Sequence, residues 1–385
     1  VKLTNTIFIF LITILLYLTV ENRTKNLKHP LISSLLFISF MSSRGLGQSS
    51  YSEIYALLFL AMGLYIFSEN KFKFKFQLTG LFLSVSSLIS FGSLLIVIPV
   101  LIKTYLSKDK KNVWSIILGY SIPHLFFLFL YSITSKFEYY KFAIFDLPSK
   151  FLSERYIQHD LAHYVFQVTE EVQFLNILTF LFLLIITIAI INDYFLILLN
   201  FASILIFVIS GTGAVHHLIF FAYTFCMSFY LIKNKTLINS MLVSLILITF
   251  LSGAKLSINS INNISDINNI QENYPVYQFS KELNKNYKKD NLSILALDHH
   301  LVLYYLNVPN ASYFIHPTLV VNEQINSHLK KYLNIDSSIE KVLASKPTLI
   351  ICNEVLIRCD FDGYKYKKFI IKNNVFEYME LIKSN

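Results

Sequence analysis

Long apolar stretches recur from Thr6 to Ile258, split by short polar breaks that are mostly lysine-rich. Thr6–Val20, Tyr51–Phe67, Val113–Ile133, Phe174–Ile191, Tyr194–Ile209, Ala214–Ile232 and Leu237–Ile258 are the clearest examples. Hydrocarbon offers no partner to backbone N–H and C=O groups, so runs of this kind are read as membrane helices. Composition agrees: the chain is 54% hydrophobic and 15% charged, where a soluble chain carries about 25% charged residues. A net charge of +9 does not point to nucleic acid, because the lysines sit in the breaks between helices, where cytoplasmic positive charge gathers. Lys71-Phe72-Lys73-Phe74-Lys75-Phe76 has the residue types of a nucleic-acid platform but reads as an interface anchor. Thr6–Val20 is preceded only by Lys2 and followed by no small-residue cleavage site, so it is not read as a cleaved signal peptide.

The basic breaks predict the topology. Arg23, Lys25 and Lys28 fill one; Lys71, Lys73 and Lys75 another; Lys103, Lys108, Lys110 and Lys111 a third; Lys233 and Lys235 a tight turn. All four are placed in the cytoplasm. The breaks around Arg44, at 134–172 and at 210–213 then face outside. Gln77–Ile102 lies between two cytoplasmic clusters, so it must leave and return. It is short for two spans of about 20 residues each, and Ser90-Phe91-Gly92 is the natural break between two short helices. The result is a polytopic α-helical membrane protein of about ten spans, with both ends outside. A first helix that starts outside leads us to expect one further helix and its external loop upstream of Val1.

After Ile258 the composition changes. An Asn/Ser-rich linker, 259–273, leads to a soluble C-terminal α/β domain, 274–385, placed outside the cytoplasm by parity with the last lysine turn. Leu292–Leu297 and Thr348–Cys352 are continuous apolar runs that predict buried strands. Gln278–Tyr287 and Gln324–Leu333 have helical spacing, and Tyr366–Leu381 predicts a closing hairpin across Asn373-Asn374. Cys352 and Cys359 can pair in an oxidising compartment or stay as thiols; Cys226 sits in an apolar run and reads as packing.

Polar chemistry concentrates in the external breaks. The 134–172 loop carries Arg155, Tyr156, His159, Asp160 and His163. His159 and His163 are spaced for one helical face, as zinc requires, although an amphipathic helix on the membrane surface uses the same residues. His216-His217 starts an apolar run and can donate to a phosphate at a helix N-terminus or simply snorkel to the interface. Glu53 lies just inside another run, where an ionisable group is read as functional; its plainer roles are a cap or a salt bridge to Arg44. No Walker A, GxGxxG, paired CxxC or Ser-His-Asp signature occurs.

Three stretches carry a resemblance. Ser43-Arg44-Gly45-Leu46-Gly47 through Ser52-Glu53-Ile54-Tyr55-Ala56-Leu57 forms a break and helix start. Gly80-Leu81-Phe82-Leu83 through Pro99-Val100-Leu101 forms a hairpin. Leu303-Tyr304-Tyr305-Leu306-Asn307-Val308-Pro309 leads to Ala311-Ser312-Tyr313-Phe314-Ile315-His316-Pro317 in the tail. In this order, with His216-His217-Leu218-Ile219 as a helix start, they resemble the bacterial membrane glycosyltransferases of the GT-C type. The group most like this chain is the protein O-mannosyltransferase/aminoarabinose transferase-like family, glycosyltransferase family 39. Ser90-Phe91 stands where that family has lysine, and Tyr313 lacks the family's neighbouring arginine. The family's acidic catalytic residue lies in a first external loop not found here, so no catalytic base is assigned.

The resemblance implies transfer of a sugar from a polyprenyl-phosphate donor to a lipid, glycan or protein acceptor at the outer face of a bacterial inner membrane. Such an enzyme needs a base for the acceptor hydroxyl and donors for the leaving phosphate. Arg44, Arg155, His216 and His217 are the available phosphate partners; Glu53, His159, His163, Tyr304 and Tyr305 complete the candidate substrate-binding set. A divalent metal is left open as cofactor, and no metal ligands are assigned. The partners expected are the prenyl donor and the lipid bilayer, with no nucleic acid. Rival readings are a transporter, a non-catalytic scaffold, or a ligase or polymerase of cell-surface polysaccharide. Against transport stand the lack of an internal repeat and of buried charges along the helices; against a ligase or polymerase stands the sizeable α/β tail.

Overall fold

The structure, a computed structural model, describes residues 2–41, 52–146, 193–209, 215–244, 274–288, 292–312, 338–352, 360–371 and 374–382, apart from 25, 109 and 147–148, with a few isolated positions besides. It is mostly helical with a small mixed sheet, and it divides into two compact units, Val1–Gly253 and Ala254–Asn385.

The first unit is helical. Its elements are α1 (Lys2–Glu21), α2 (Lys28–Met41), α3 (Ser52–Ser68), α4 (Lys75–Ile89), α5 (Leu94–Leu106), α6 (Lys110–Ile133), the short α7 (Phe137–Lys141), α8 (Tyr194–Ile209) and α9 (Ile219–Met227). A further helical stretch covers 235–244. Helix α1 packs on α2 and α3, α4 lies between α3 and α6, and α8 lies against α5 and α9. Leu16, Leu36, Leu57, Leu60, Leu199 and Tyr223 are among the buried side chains that join these helices into one core. Several polar residues inside the helices are satisfied locally. Thr13, Thr19, Ser39, Thr79 and Thr104 each donate a hydroxyl hydrogen bond to the carbonyl four residues back, so the helices bury them without leaving a polar group open. Helix α8 starts on Asp193, whose Oδ1 accepts the N–H groups of Phe195 and Leu196 at 3.0 and 3.2 Å, a side-chain N-cap.

The break at Ser90 falls where the sequence places it. Ser90 turns extended and ends α4, a 3-10 turn covers Phe91–Ser93, and α5 follows. Ser86 donates to Ser93 across the break at 2.9 Å. The Ala214–Ile232 run behaves differently. Only Ile219–Met227 is α-helix, flanked by tighter 3-10 turns at Val215–Leu218 and Ser228–Leu231, as often happens where helix ends are wound down.

Against the expected ten spans, two helices among the described residues are long and apolar enough to cross a membrane, Thr4–Glu21 and Lys110–Ile133. Ser52–Ser68, Lys75–Ile89, Phe91–Leu106 and Tyr194–Ile209 are apolar but shorter. Phe174–Ile191 and most of Leu237–Ile258 lie outside the described residues. Helix α6 turns Trp114, Leu118, Leu125, Phe126, Phe129 and Ile133 outward.

The second unit is a sheet between helices, in the order β1-β2-β4-β3. Strands β1 (Ile294–Ala296) and β2 (Leu349–Cys352) are parallel and buried throughout, as continuous apolar runs require when both faces are covered. The hairpin of β3 (Tyr364–Ile371) and β4 (Asn374–Leu381) adds antiparallel to β2. One face packs on α10 (Pro275–Asn286) and α11 (Leu301–Leu306), with Phe279 stacked on Phe376 at 4.7 Å. The other face packs on α12 (Ile339–Ala344) through Val342. The hairpin register corrects the sequence expectation by one residue. Ile371 pairs with Asn374, so Asn374 belongs to the strand. Helix α11 lies where the sequence suggested only a motif. Cys352 is disulfide-bonded and Cys226 is a buried free thiol; Cys359, its expected partner, and the linker at 259–273 lie outside the described residues.

Candidate functional site

Glu53 occupies the first turn of α3 and is 7% exposed. A carboxylate suits that position, because the first turn of a helix presents unpaired N–H groups and the positive end of its dipole. Ser52 donates its hydroxyl to Glu53 Oε2 at 3.2 Å. The other oxygen, Oε1, lies 3.4 Å from Nδ1 of His217. His217 and its neighbour His216 sit on the 3-10 turn that precedes α9. Their rings are 4.2 Å apart and inclined at 42°. Both are partly buried. Helix α9 packs against α3, and this packing brings two segments 163 positions apart in the chain to one point.

One ligand atom from each of Glu53, His216 and His217 lies within 4.8 Å of the others. Two imidazoles and a carboxylate are a common donor set for a divalent transition metal. Two ligands about 2.1 Å from a tetrahedral ion stand roughly 3.4 Å apart, which the Glu53–His217 separation already matches. His216 lies near enough to join the set after a side-chain adjustment. Three protein ligands leave a coordination position for water or substrate. The carboxylate also changes what the histidines can hold. A phosphate set directly on His216-His217 meets the Glu53 charge, whereas a cation between them removes that conflict.

The sequence singled out Glu53 and the histidine pair separately; the structure joins them. Tyr304, on α11, is 77% exposed, and Tyr305 packs its ring on Tyr274, Tyr277 and Tyr304, all within the second unit. Arg44, Arg155, His159 and His163 lie outside the described residues. What sequence reasoning missed is the meeting itself, which has no local signal. The nearest hint is an acidic residue at the start of an apolar helix.

No protein-family model matches the chain, and neither a curated protein nor a solved structure does.

Proposed function

We propose that the chain is a multi-pass membrane glycosyltransferase of the bacterial inner membrane. It moves a sugar from a polyprenyl-phosphate donor to a lipid, glycan or protein acceptor at the outer face, with its tail domain extracytoplasmic. The observation that carries this reading is the convergence of buried Glu53 with His216 and His217 at one end of a bundle of apolar helices. The membrane part is supported by the large apolar side chains that α6 turns outward, since soluble proteins rarely expose a continuous apolar stripe along a whole helix. On this reading the shorter helices of the unit cross thinned or tilted.

In the reaction the bond between sugar C1 and the phosphate oxygen breaks, a bond from C1 to the acceptor oxygen forms, and the acceptor proton passes to a base. Negative charge grows on the departing phosphate. A divalent cation, when bound, would stabilise that charge, and Glu53, His216 and His217 are the residues that would hold it. Glu53 is assigned to holding the cation and not to taking the proton. The half-buried histidines keep bulk water from the phosphate side, where a hydrolysed donor would be lost.

The test is transfer of label from a panel of polyprenyl-phosphate sugars by the protein in nanodiscs. Wild type is expected to transfer from at least one donor, and Glu53→Gln and His217→Ala to lose about 100-fold or more in rate. Unchanged transfer by both variants would remove the site from the reaction. Failure of every donor, with transfer instead of a preassembled glycan, would favour a ligase.

A further inference from the structure

We propose a second binding site at the opposite, lysine-rich end of the helical unit, for the phosphate-bearing head group of an anionic phospholipid. It rests on the membrane reading above but not on sugar transfer.

Six helix ends meet there. Phe195, in the first turn of α8, is buried at 1% exposure and forms the centre of an aromatic plate. The ring of Phe67, from the end of α3, lies 5.8 Å from it, and Phe76, from the start of α4, lies 6.4 Å from Phe67. Three cations from three chain segments are seated on this plate, Lys75 from the same helix start as Phe76. Arg23, just past α1, lies over Phe195 at 5.8 Å and over Tyr230 at 5.6 Å. Lys103, in the last turn of α5, lies over Tyr194 at 4.7 Å and over Phe195 at 6.0 Å. Lys75, which opens α4, lies over Phe67 at 5.8 Å and is close enough to Arg23 for the two to repel.

Among the described residues, Lys75 donates to Asn70 Oδ1 at 2.9 Å and feels the Glu69 charge, but the carboxylates nearby are held mainly by other groups. Asp193 caps α8 with one oxygen and accepts the Tyr230 hydroxyl with the other at 3.2 Å. Glu69 accepts the N–H groups of Asn70 and Lys71 and pairs with the Lys71 ammonium at 3.8 Å. Arg23 reaches Tyr230 by a long hydrogen bond of 3.4 Å, and its Nε is buried with no partner. Ring faces attract cations only weakly and supply no acceptor lone pair in plane with a guanidinium. Three cations gathered on neighbouring rings, one with an unused buried N–H, are groups that an external oxyanion would pair with. A phosphate fits: it offers several oxygens to a guanidinium fork and to two ammonium groups at once.

The place in the fold decides between lipid and other phosphates. Glu53 and Phe67 are on the same helix, so the two sites stand about 20 Å apart along it. With the site of Glu53 at the outer face, this end reaches the cytoplasmic leaflet, where anionic lipids gather and basic pockets between helices hold their head groups. The aromatic floor and the apolar flanks of α4 and α5 suit acyl chains and not a soluble anion.

The experiment is native mass spectrometry of the protein released from nanodiscs of phosphatidylcholine doped with phosphatidylglycerol. Wild type is expected to retain phosphatidylglycerol over phosphatidylcholine. The double variant Arg23→Gln/Lys103→Gln should lose that preference by roughly tenfold to thirtyfold, Lys103→Gln alone by several-fold, and Lys73→Gln, on the exposed side, not at all. Arg23→Lys should recover part of the preference, so a folded reference exists if the double variant unfolds. Equal retention of both lipids by wild type, or an undiminished preference in Lys103→Gln and the double variant, would overturn the proposal. Displacement of the lipid by inorganic phosphate would assign the site to a soluble anion instead. A protein that does not enter nanodiscs fails the membrane reading, whereas one that enters and shows no preference fails only this site.

Discussion

On the proposed reading the chemistry turns on Glu53 and His217, and their separation of 3.4 Å admits a direct test. Titration of zinc(II) into purified protein should show one site, with His217→Ala and Glu53→Gln each weakening it at least about tenfold. Binding that is indifferent to both would make the cluster an ion pair and nothing more. Each residue was legible in the sequence as a polar group at the edge of an apolar run; their partnership was not, because 163 intervening positions carry no signal of contact. A second residue-scale effect lies in the tail. Burial alone would raise the Glu380 carboxyl, but hydrogen bonds from Lys367 and Tyr287 bring it below the usual carboxylate range. Lys367 is raised in turn, first by its bond to Glu380. A depressed carboxylate stabilises above its unfolded pKa, and that stability is lost as pH falls through the folded value; a raised lysine loses its contribution as pH climbs through its own folded value. Amide exchange in β3 and β4 should therefore quicken on acidification below the ordinary glutamate range and again at strongly alkaline pH. Glu380→Gln should flatten the acid side, and an unaltered acid limb in that variant would show that another group controls it.

At the scale of elements, helix contacts depend on small residues that periodicity does not reveal. A Cβ on Gly80 would stand 2.1 Å from the Ile116 carbonyl oxygen, and one on Gly119 would stand 2.0 Å from that of Gln77. Helices α4 and α6 thus approach backbone to backbone, as small residues allow between apolar helices. Gly80→Ala or Gly119→Ala should destabilise by about 1–3 kcal/mol, read as a lower midpoint of thermal unfolding in detergent. Gly63→Ala meets the Leu83 side chain at 3.2 Å, with the Thr79 carbonyl oxygen at 3.5 Å, and should cost less; equal midpoints for all three would mean that α4 and α6 separate freely. Buried polar groups tie α8 to α9 in the same hidden way. Asn200 donates to Ser228, and Thr224 donates to Asn200 and Ser203. Long apolar runs gave the ends of α1, α3, α6 and α8 to within a few residues, because length and uniform apolarity leave a helix as the stable form. Six-residue α11 escaped notice, since so short a helix has little periodicity. Its one signal is Asn307, which ends it in the left-handed conformation at φ 52°, a position Asn tolerates.

For the whole molecule, the lysine breaks turned out to be a statement about one end of the helical unit. Arg23, Lys75 and Lys103 come from three breaks and reach neighbouring aromatic rings, so the start of α4 and the end of α5 lie at the same end of the helical unit. Glu53 and the histidines occupy the other end. About 20 Å of helix between them is less than the roughly 30 Å of a bilayer's hydrocarbon, so on the membrane reading Glu53 sits within the apolar layer's rim, where water is scarce and charge interactions are strong. The two-unit division was legible from the change in composition after the last apolar run, while the order of the sheet was not, because strand pairing joins residues such as Ile294 and Leu349 that no local pattern connects. On the membrane reading, orientation is read from the Lys233 and Lys235 turn. If that turn is cytoplasmic, the apolar run after it carries the chain outward and the tail lies outside. Alkaline phosphatase fused after Asn273 should then be active in cells, and β-galactosidase fused at the same point inactive, because the first enzyme requires an oxidising compartment for its disulfides and the second requires the cytoplasm. The reverse pattern would turn the helical unit over, placing Glu53, His216 and His217 at the cytoplasmic face, and the donor would then have to be presented there.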